Sequence, residues 1–149
     1  MSLVTAQNLR FKYASSGPWI LDDVSLSIEP GASVGIVGES GSGKSTVVRL
    51  LSGLLRAQEG TITADGRDVG EWSKRAPHEL RRFSHLVFQS PRRSFDPRMR
   101  LGRAVSEPIR ALEHRRPERA ELESWMQRVG LPAELLDRYP HHLSGGQIQ

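Results

Sequence analysis

The stretch GESGSGKST, residues 38–46, decides how this chain folds. It fits the pattern G-x-x-x-x-G-K-[ST], and it stands between an apolar run, SVGIVG, and a segment with helical spacing. Glycines let consecutive backbone N–H groups curl around a phosphate without Cβ clashes, and a helix that begins near Lys44 adds the positive end of its dipole. The stretch therefore predicts a strand, a phosphate-binding loop and a helix, in that order.

The side chains of the loop suit a magnesium-bound phosphate chain. Lys44 is expected to reach the β and γ phosphates, and Ser45 offers a hydroxyl to Mg2+, which prefers oxygen ligands. ATP and Mg2+ are therefore the predicted cofactors. The predicted binding residues of the loop are Gly38, Glu39, Ser40, Gly41, Ser42, Gly43, Lys44, Ser45 and Thr46.

The segments around the loop alternate between strand and helix patterns. Period-two spacing predicts two strands before it, and the buried-looking run at 33–38 predicts a central parallel strand. GTITADG at 60–66 predicts a strand ending in an Asp-Gly turn, and HLVF at 85–88 predicts a short buried strand. A helical apolar face follows the loop and comprises Val47, Val48, Leu50, Leu51, Leu54 and Leu55.

The character of the chain changes after Gln89. SPRRSFDPRMR is rich in Pro, Arg and Ser and has no sustained period, which is typical of a loop. We therefore predict an ATP-binding core at 1–90 and a helical subdomain at 91–149. Helices are predicted at 101–113, 117–129 and 132–139.

A second candidate phosphate-binding site is LSGGQ, residues 143–147. It stands at a predicted helix start, with Ser144 as the cap. Two unblocked helix N-termini rich in Ser and Gly suggest that one nucleotide is gripped from two sides, and the same molecule need not supply both. The candidate binding residues here are Ser144, Gly145, Gly146 and Gln147.

Composition narrows the class of protein. No apolar run approaches the roughly 20 residues that span a bilayer, there is no cysteine among the 149 residues, and the first residues lack a signal-peptide pattern, so we expect a cytoplasmic protein. The net charge of +4 is compatible with nucleic acid, an anionic membrane face or an anionic ligand, and a solvated surface is the simplest reading.

GESGSGKST followed by LSGGQ resembles the nucleotide-binding domain of ATP-binding cassette (ABC) proteins. The resemblance implies an α/β fold, with a P-loop NTPase core, N-terminal β strands and a helical subdomain. It implies that Tyr13 stacks on adenine, as suits a flat apolar ring. It also implies that Gln89 ligates magnesium, senses the γ phosphate and couples to a membrane subunit, so that Lys44 and Gln89 serve catalysis and Ser45 and Gln89 bind the metal.

The same resemblance implies that the domain is incomplete. In this family an apolar strand ending in Asp-Glu, and later a His, follow LSGGQ, and that strand lies inside the sheet beside the one ending at Gly38. Asp65 stands in a turn and Asp96 precedes Pro97 in a loop, so neither replaces the missing carboxylates. Residues 1–149 alone are therefore expected to be inactive as an ATPase.

Two further stretches, FQSPRRSFDPRMRLGRAVSEPI and VGLPAELLDRYPHHLSGGQ, are similar to ABC ATPases of peptide and nickel importers. This similarity implies transmembrane permease subunits and a second nucleotide-binding subunit, identical or not, as partners, with no nucleic acid. It implies a peripheral location at the cytoplasmic face of the inner membrane. The alternatives are a soluble ABC ATPase acting on nucleic acid or ribosomes, a P-loop kinase, and a non-catalytic module.

Overall fold

The chain divides into two compact units in the computed structural model, which describes residues 2–149 except the side chains of residues 91 and 93. The first unit ends at Leu86, and the second unit is Val87–Gln149. Gln89 thus lies in the second unit, whereas the sequence places it within the core at 1–90. None of the helices in the described residues is long and apolar enough to cross a membrane.

The first unit is a sheet with helices. The elements are, in chain order, β1 (Val4–Phe11), β2 (Leu21–Ile28), α1 (Lys44–Leu51), β3 (Glu59–Ala64), β4 (Arg67–Asp68), α2 (Val69–Arg75) and α3 (Pro77–Phe83). The strands follow the order β2-β1-β3-β4 in the sheet, and every neighbouring pair is antiparallel. The predicted Asp-Gly turn is confirmed: Asp65 and Gly66, both with positive φ, join β3 to β4.

A bulge in β1 decides which side chains enter the core. The pairing of β1 with β2 shifts register between Ala6 and Leu9, and Asn8 has φ 50°. In a regular strand these two residues, three positions apart, would face opposite sides of the sheet. The bulge changes the phase, so both are buried, together with Phe11.

Helix α1 contributes a narrower apolar face than predicted. Val47 and Leu50 are buried against the sheet, whereas Val48 and Leu54 are exposed. The helix ends at Leu51, and Gly53 follows with φ 69°. A left-handed residue stops a helix because its backbone cannot continue the ladder of hydrogen bonds.

The predicted strands at 33–38 and 85–88 do not form in the described residues. Neither segment pairs with another strand, and Val37 and Val87 are 96% and 79% exposed. A strand exists only through hydrogen bonds to its neighbours, and residues 2–149 offer these two segments no ladder. The predictions were wrong here because an apolar run indicates that a segment tends to be buried, but it does not specify a neighbouring strand to which that segment can bond.

Two helices that sequence reasoning missed, α2 and α3, complete the first unit. Asp68 caps α2 by accepting a 2.8 Å hydrogen bond from the N–H of Glu71, and α3 begins at Pro77. Both are recognised start signals, an acidic cap and a proline in the first turn. Leu80 of α3 and Val69 of α2 are buried in the core.

The second unit is helical, as predicted, and encloses its own apolar cluster. The predicted helix at 101–113 is confirmed, whereas the segment predicted at 132–139 forms a 3₁₀ helix, held by bonds such as Arg138 N–H to Leu135 O. Its helices are α4 (Leu101–Glu113), α5 (Arg119–Arg128) and α6 (Gly145–Ile148), with 3₁₀ segments at Pro91–Ser94, Ala133–Asp137 and Pro140–His142. The buried cluster comprises Leu101, Leu122, Met126, Leu136, Leu143 and Ile148.

Gly60 lies opposite the β1 bulge and provides a test of this arrangement. Its φ is 86°, and a Cβ there would meet the backbone oxygens of Gln7 and Asn8. We expect Gly60→Ala in the full-length protein to lower the free energy of unfolding by about 3 kcal/mol or more, measured by denaturant titration.

Gly66→Ala is the matched control. Gly66 also has positive φ, at 73°, but a Cβ there would meet nothing within 4 Å. The free energy of unfolding of Gly66→Ala should therefore fall only by the cost of placing alanine in a left-handed conformation, about 1 kcal/mol. Equal losses for the two variants would contradict the close approach of β3 to the bulge.

Candidate functional site

The loop before α1 is built around two glycines in left-handed conformations. Gly41 and Gly43 both have φ 88°, and Gly41 lies in a turn closed by a 3.2 Å hydrogen bond from Ser42 N–H to Glu39 O. A Cβ at Gly43 would approach Leu21 Cδ2 to 2.7 Å. Position 43 therefore requires glycine for its backbone conformation and for its packing against β2.

Lys44 folds back across this loop. Its Nζ donates to the carbonyl oxygens of Gly38, at 2.9 Å, and Glu39, at 2.6 Å, and lies 3.4 Å from Ser42 Oγ. The ammonium group is thereby held beside the backbone at the start of the loop. It places a full positive charge where the phosphates of a nucleotide are predicted to bind.

Backbone N–H donors collect at the same place. Among the described residues, no protein group accepts a hydrogen bond from the N–H of Gly43, Lys44 or Ser45, and α1 has no side-chain cap. These donors and the positive end of the helix dipole form an anion-binding terminus. Ser45 is exposed beside them, which leaves its hydroxyl accessible to a metal ion.

Tyr13 is tied to the first turn of α1. Its hydroxyl lies 3.2 Å from Thr46 Oγ1 and 3.4 Å from a guanidinium nitrogen of Arg49, and its ring meets that of Phe11 edge-on at 4.9 Å. The hydrogen bond with Thr46, and after it that with Arg49, lowers the pKa of Tyr13 from its ordinary value. The structure therefore brings Tyr13 and Thr46, the last residue of the predicted loop, together, and Tyr13 stays 60% exposed.

Two residues of α1 hold the Tyr13 side chain. Thr46 is buried and its Oγ1 bonds the Tyr13 hydroxyl, and its predicted part in binding nucleotide stays a prediction. Arg49 was missed, although its place three residues after Thr46 puts both on one face of the helix.

The LSGGQ segment is a capped helix start on a buried frame. As predicted, Ser144 is the cap: its Oγ accepts from the N–H of Gln147 at 3.3 Å, and Gln147 Oε1 accepts from the N–H of Ser144 at 2.9 Å. Gln147 thus stabilises the backbone here. Gly145 and Gly146 are exposed, and a Cβ at either would meet nothing within 4 Å, which leaves their surface open to a ligand.

Gln89 is exposed in the second unit and stands outside regular structure. The expected strand before it is not formed, so its predicted position at the carboxyl end of a strand is wrong for the described residues. Its roles as a magnesium ligand and as a sensor of the γ phosphate stay predictions.

Residues 21–149 match the family model described as ABC transporter. The chain belongs to the ABC transporter family. The ABC relatives include a glutathione import ATP-binding protein of Pectobacterium atrosepticum, which is 43% identical over 87% of this chain and 21% of its own length. They also include an oligopeptide transport ATP-binding protein of Haemophilus influenzae, at 38% identity over 85% of the chain and 39% of the relative.

A nickel import ATP-binding protein of Pseudomonas putida is 34% identical over 100% of the chain and 58% of its own length. The chain thus spans 21–58% of the length of these three ABC relatives. Among solved structures, cbiO1 of Clostridium perfringens, described as part of the ABC transporter complex cbiONQ, matches with a TM-score of 0.74 and 25% identity, over 99% of this chain and 57% of that one. The predicted fold class is confirmed.

Lys44→Ala tests the phosphate site directly. The variant removes the ammonium group that is held beside the loop. Because a charge-assisted hydrogen bond contributes about 1.5–3 kcal/mol, we expect the Kd for ATP with Mg2+ to rise about tenfold to a hundredfold or more in the full-length protein, measured by calorimetric titration.

Lys74→Ala is the control for charge. Lys74 lies on α2 and pairs with Glu71 at 3.1 Å, outside the loop. The Lys74→Ala variant should bind ATP with the same Kd as the unmodified protein. An affinity that stays within a factor of about two in Lys44→Ala would contradict the phosphate-loop assignment.

Proposed function

We propose that this chain is the ATP-binding part of an ABC importer subunit, whose full-length form couples ATP binding and hydrolysis to transport. The observation that carries the proposal is the start of α1, where the N–H groups of residues 43–45 donate to no protein group among the described residues and the ammonium group of Lys44 is folded back onto the loop. Donors and positive charge concentrated there suit a phosphate chain. The three relatives are all named as ATP-binding proteins, which supports the same ligand.

Each part of the nucleotide has a group suited to it. Tyr13, exposed and fixed by Thr46, offers a ring face to adenine, and the loop with Lys44 holds the phosphates. Ser45 and Gln89 are proposed to hold Mg2+ with their side-chain oxygens. A bound Mg2+ supplies positive charge to the phosphate oxygens, and Lys44 neutralises further charge on them.

The second half of the site is proposed to come from a partner subunit. In this arrangement two nucleotide-binding domains, identical or different, enclose two ATP molecules, and residues 144–147 of one face the nucleotide on the other. The open surface at Gly145 and Gly146 supports this, as do their N–H groups, from which no protein group among the described residues accepts a hydrogen bond. Closure of the pair would drive the membrane partner.

Substrate class and location follow from the relatives as proposals. Their names specify glutathione, oligopeptide and nickel import or transport, so we propose peptides or nickel as cargo and transmembrane permease subunits as partners. The protein would bind these subunits at the cytoplasmic face of the inner membrane. In cells carrying Lys44→Ala in the chromosomal gene, uptake of labelled oligopeptide or of nickel should fall to the level of a gene deletion. Unchanged uptake of both would contradict the importer.

Ser144→Arg in the full-length protein should leave ATP binding by single subunits intact and prevent ATP-driven dimerisation. The large side chain would block the γ phosphate presented by the partner. Size-exclusion chromatography with ATP measures the outcome.

Ser144→Ala distinguishes the effect of a large side chain at position 144 from the effect of losing the helix cap. It removes the cap on α6, at a cost of about 1 kcal/mol, without adding a large side chain. Its dimer should therefore persist. A dimer that forms normally with Ser144→Arg contradicts the arrangement, and loss of the dimer in both variants assigns the effect to the cap.

Residues 1–149 alone should release no phosphate from ATP above background and should tend to associate. Hydrolysis needs a carboxylate that orients water, and loss of such groups costs several orders of magnitude in rate. Asp65 stands in the hairpin turn with φ 48°, and Asp96 accepts a hydrogen bond from Arg98 N–H, so neither is placed for this role. The exposed Val37 and Val87 stand in unpaired segments, which favours association.

Phosphate release with ATP and Mg2+, combined with thermal unfolding, tests this prediction. Steady turnover that Lys44→Ala abolishes, from a monomer with one cooperative transition, would contradict it.

A further inference from the structure

A concave groove in the second unit has five arginines among its eleven lining residues. It lies between α4, α5 and the 3₁₀ segment Ala133–Asp137 and has a volume of about 560 Å3. Five arginines and one aspartate are its charged residues, so the lining has an excess of four positive charges. They are Arg100, Arg103, Arg110, Arg116, Arg119 and Asp137.

The one acidic side chain of the lining is already engaged. Asp137 receives two hydrogen bonds from the guanidinium of Arg119, at 2.9 and 2.8 Å, and this pairing lowers the pKa of Asp137. The same guanidinium also donates to Glu123 at 2.9 Å, and Arg110 pairs with Glu107 at 3.1 Å. Within the lining, Arg119 and Arg110 are thus paired with carboxylates. Arg100, Arg103 and Arg116 form no ion pair among the described residues.

Arg103 and Arg116 have no acidic partner in the described part of the chain. Both are exposed, and neither forms an ion pair or a side-chain hydrogen bond with residues 2–149. Arg100 lies with its guanidinium 5.8 Å from the centre of the Tyr139 ring. Three guanidinium groups from α4, its cap and the loop before α5 thus face one groove with their donors available to a ligand.

The backbone at the start of α4 adds partial positive charge and a hydrogen-bond donor to the groove. Gly102 lines the groove in the first turn of α4, whose cap, Arg100, forms no side-chain hydrogen bond to the helix, and among the described residues no protein group accepts a hydrogen bond from the N–H of Gly102. Helix starts carry partial positive charge and unbonded N–H groups. The arginine side chains and the start of α4 therefore both favour the binding of an anion in this groove.

The convergence distinguishes this groove from an ordinary charged surface. Solvated arginines normally separate or pair with carboxylates, since like charges brought together repel. Here they come from two helices and a loop and surround a volume within the range of small-ligand sites. Guanidinium groups bind phosphate through paired, parallel hydrogen bonds, and a compact anion with several oxygens can meet several of them at once.

We propose that this groove binds a polyvalent phosphate, supplied either as a free anion or as the headgroup of an anionic lipid. The site lies within the second unit and is separate from the phosphate loop, so it does not depend on the nucleotide function proposed above. Arg103 and Arg116 are the residues on which affinity should depend most, because no internal partner competes for them.

The test uses inorganic pyrophosphate and the full-length protein carrying Lys44→Ala, which weakens the phosphate loop as a competing site. Arg103→Ala combined with Arg116→Ala removes the two unpartnered charges. Arg98→Ala combined with Arg128→Ala is the matched control, because it removes the same charge from exposed arginines of the second unit that do not line the groove. Calorimetric titration gives Kd, and thermal unfolding verifies that both double variants fold.

We expect the groove pair to raise the Kd for pyrophosphate about tenfold or more and the control pair to change it less than about threefold. Binding should also weaken as salt rises. Equal effects of the two pairs, or no measurable binding at low salt, would overturn the proposal. Binding of a polyglutamate peptide without binding of pyrophosphate would overturn it in favour of an acidic protein segment.

Flotation with vesicles identifies the source of the phosphate. Vesicles of phosphatidylcholine alone are compared with vesicles that also contain cardiolipin, whose headgroup carries two phosphates. Recruitment by the anionic vesicles that the groove pair abolishes, and the control pair does not, supports a lipid headgroup. Pyrophosphate binding without such recruitment supports a free anion.

Discussion

The hydrogen bonds from the Lys44 ammonium group to the carbonyl oxygens of Gly38 and Glu39 are the interactions around which the first unit's site is organised. They bring the first residue of α1 back to the start of the loop. The loop can close in this way because Gly41 and Gly43 adopt left-handed conformations that other residues rarely accept. The N–H groups at the start of α1 are left for a ligand as a consequence.

The sheet controls where the aromatic side chain of this site stands. The bulge at Asn8 keeps both Ala6 and Leu9 in the core, and β1 then ends at Phe11. The ring of Phe11 supports Tyr13 from one side, and Thr46 holds its hydroxyl. The packing of the core and the exposure of the Tyr13 side chain, which we propose to stack on adenine, thus depend on the same contacts.

The second unit combines a buried apolar frame with polar surfaces of different kinds. Leu143 and Ile148 fix the ends of the LSGGQ segment in the core of that unit, while Gly145 and Gly146 stay exposed. The groove formed by α4 and α5 has a cationic surface, because Asp137, the one carboxylate of its lining, is paired with Arg119. Such a frame can hold functional groups in place without burying them.

The sequence by itself determined the family, the phosphate loop, the start of α1, the Asp-Gly hairpin, the cap at Ser144 and the helix at 101–113. Each of these depends on residues close together in the chain, where glycine conformations, caps and helical periodicity act locally. The bulge at Asn8, the support of Tyr13 by Thr46 and Arg49, and the convergence of arginines in the groove were decided only by the tertiary structure. The failed strands at 33–38 and 85–88 have the same cause, because strand pairing, packing and charge clustering join residues that are distant in sequence, and no local pattern specifies the partner.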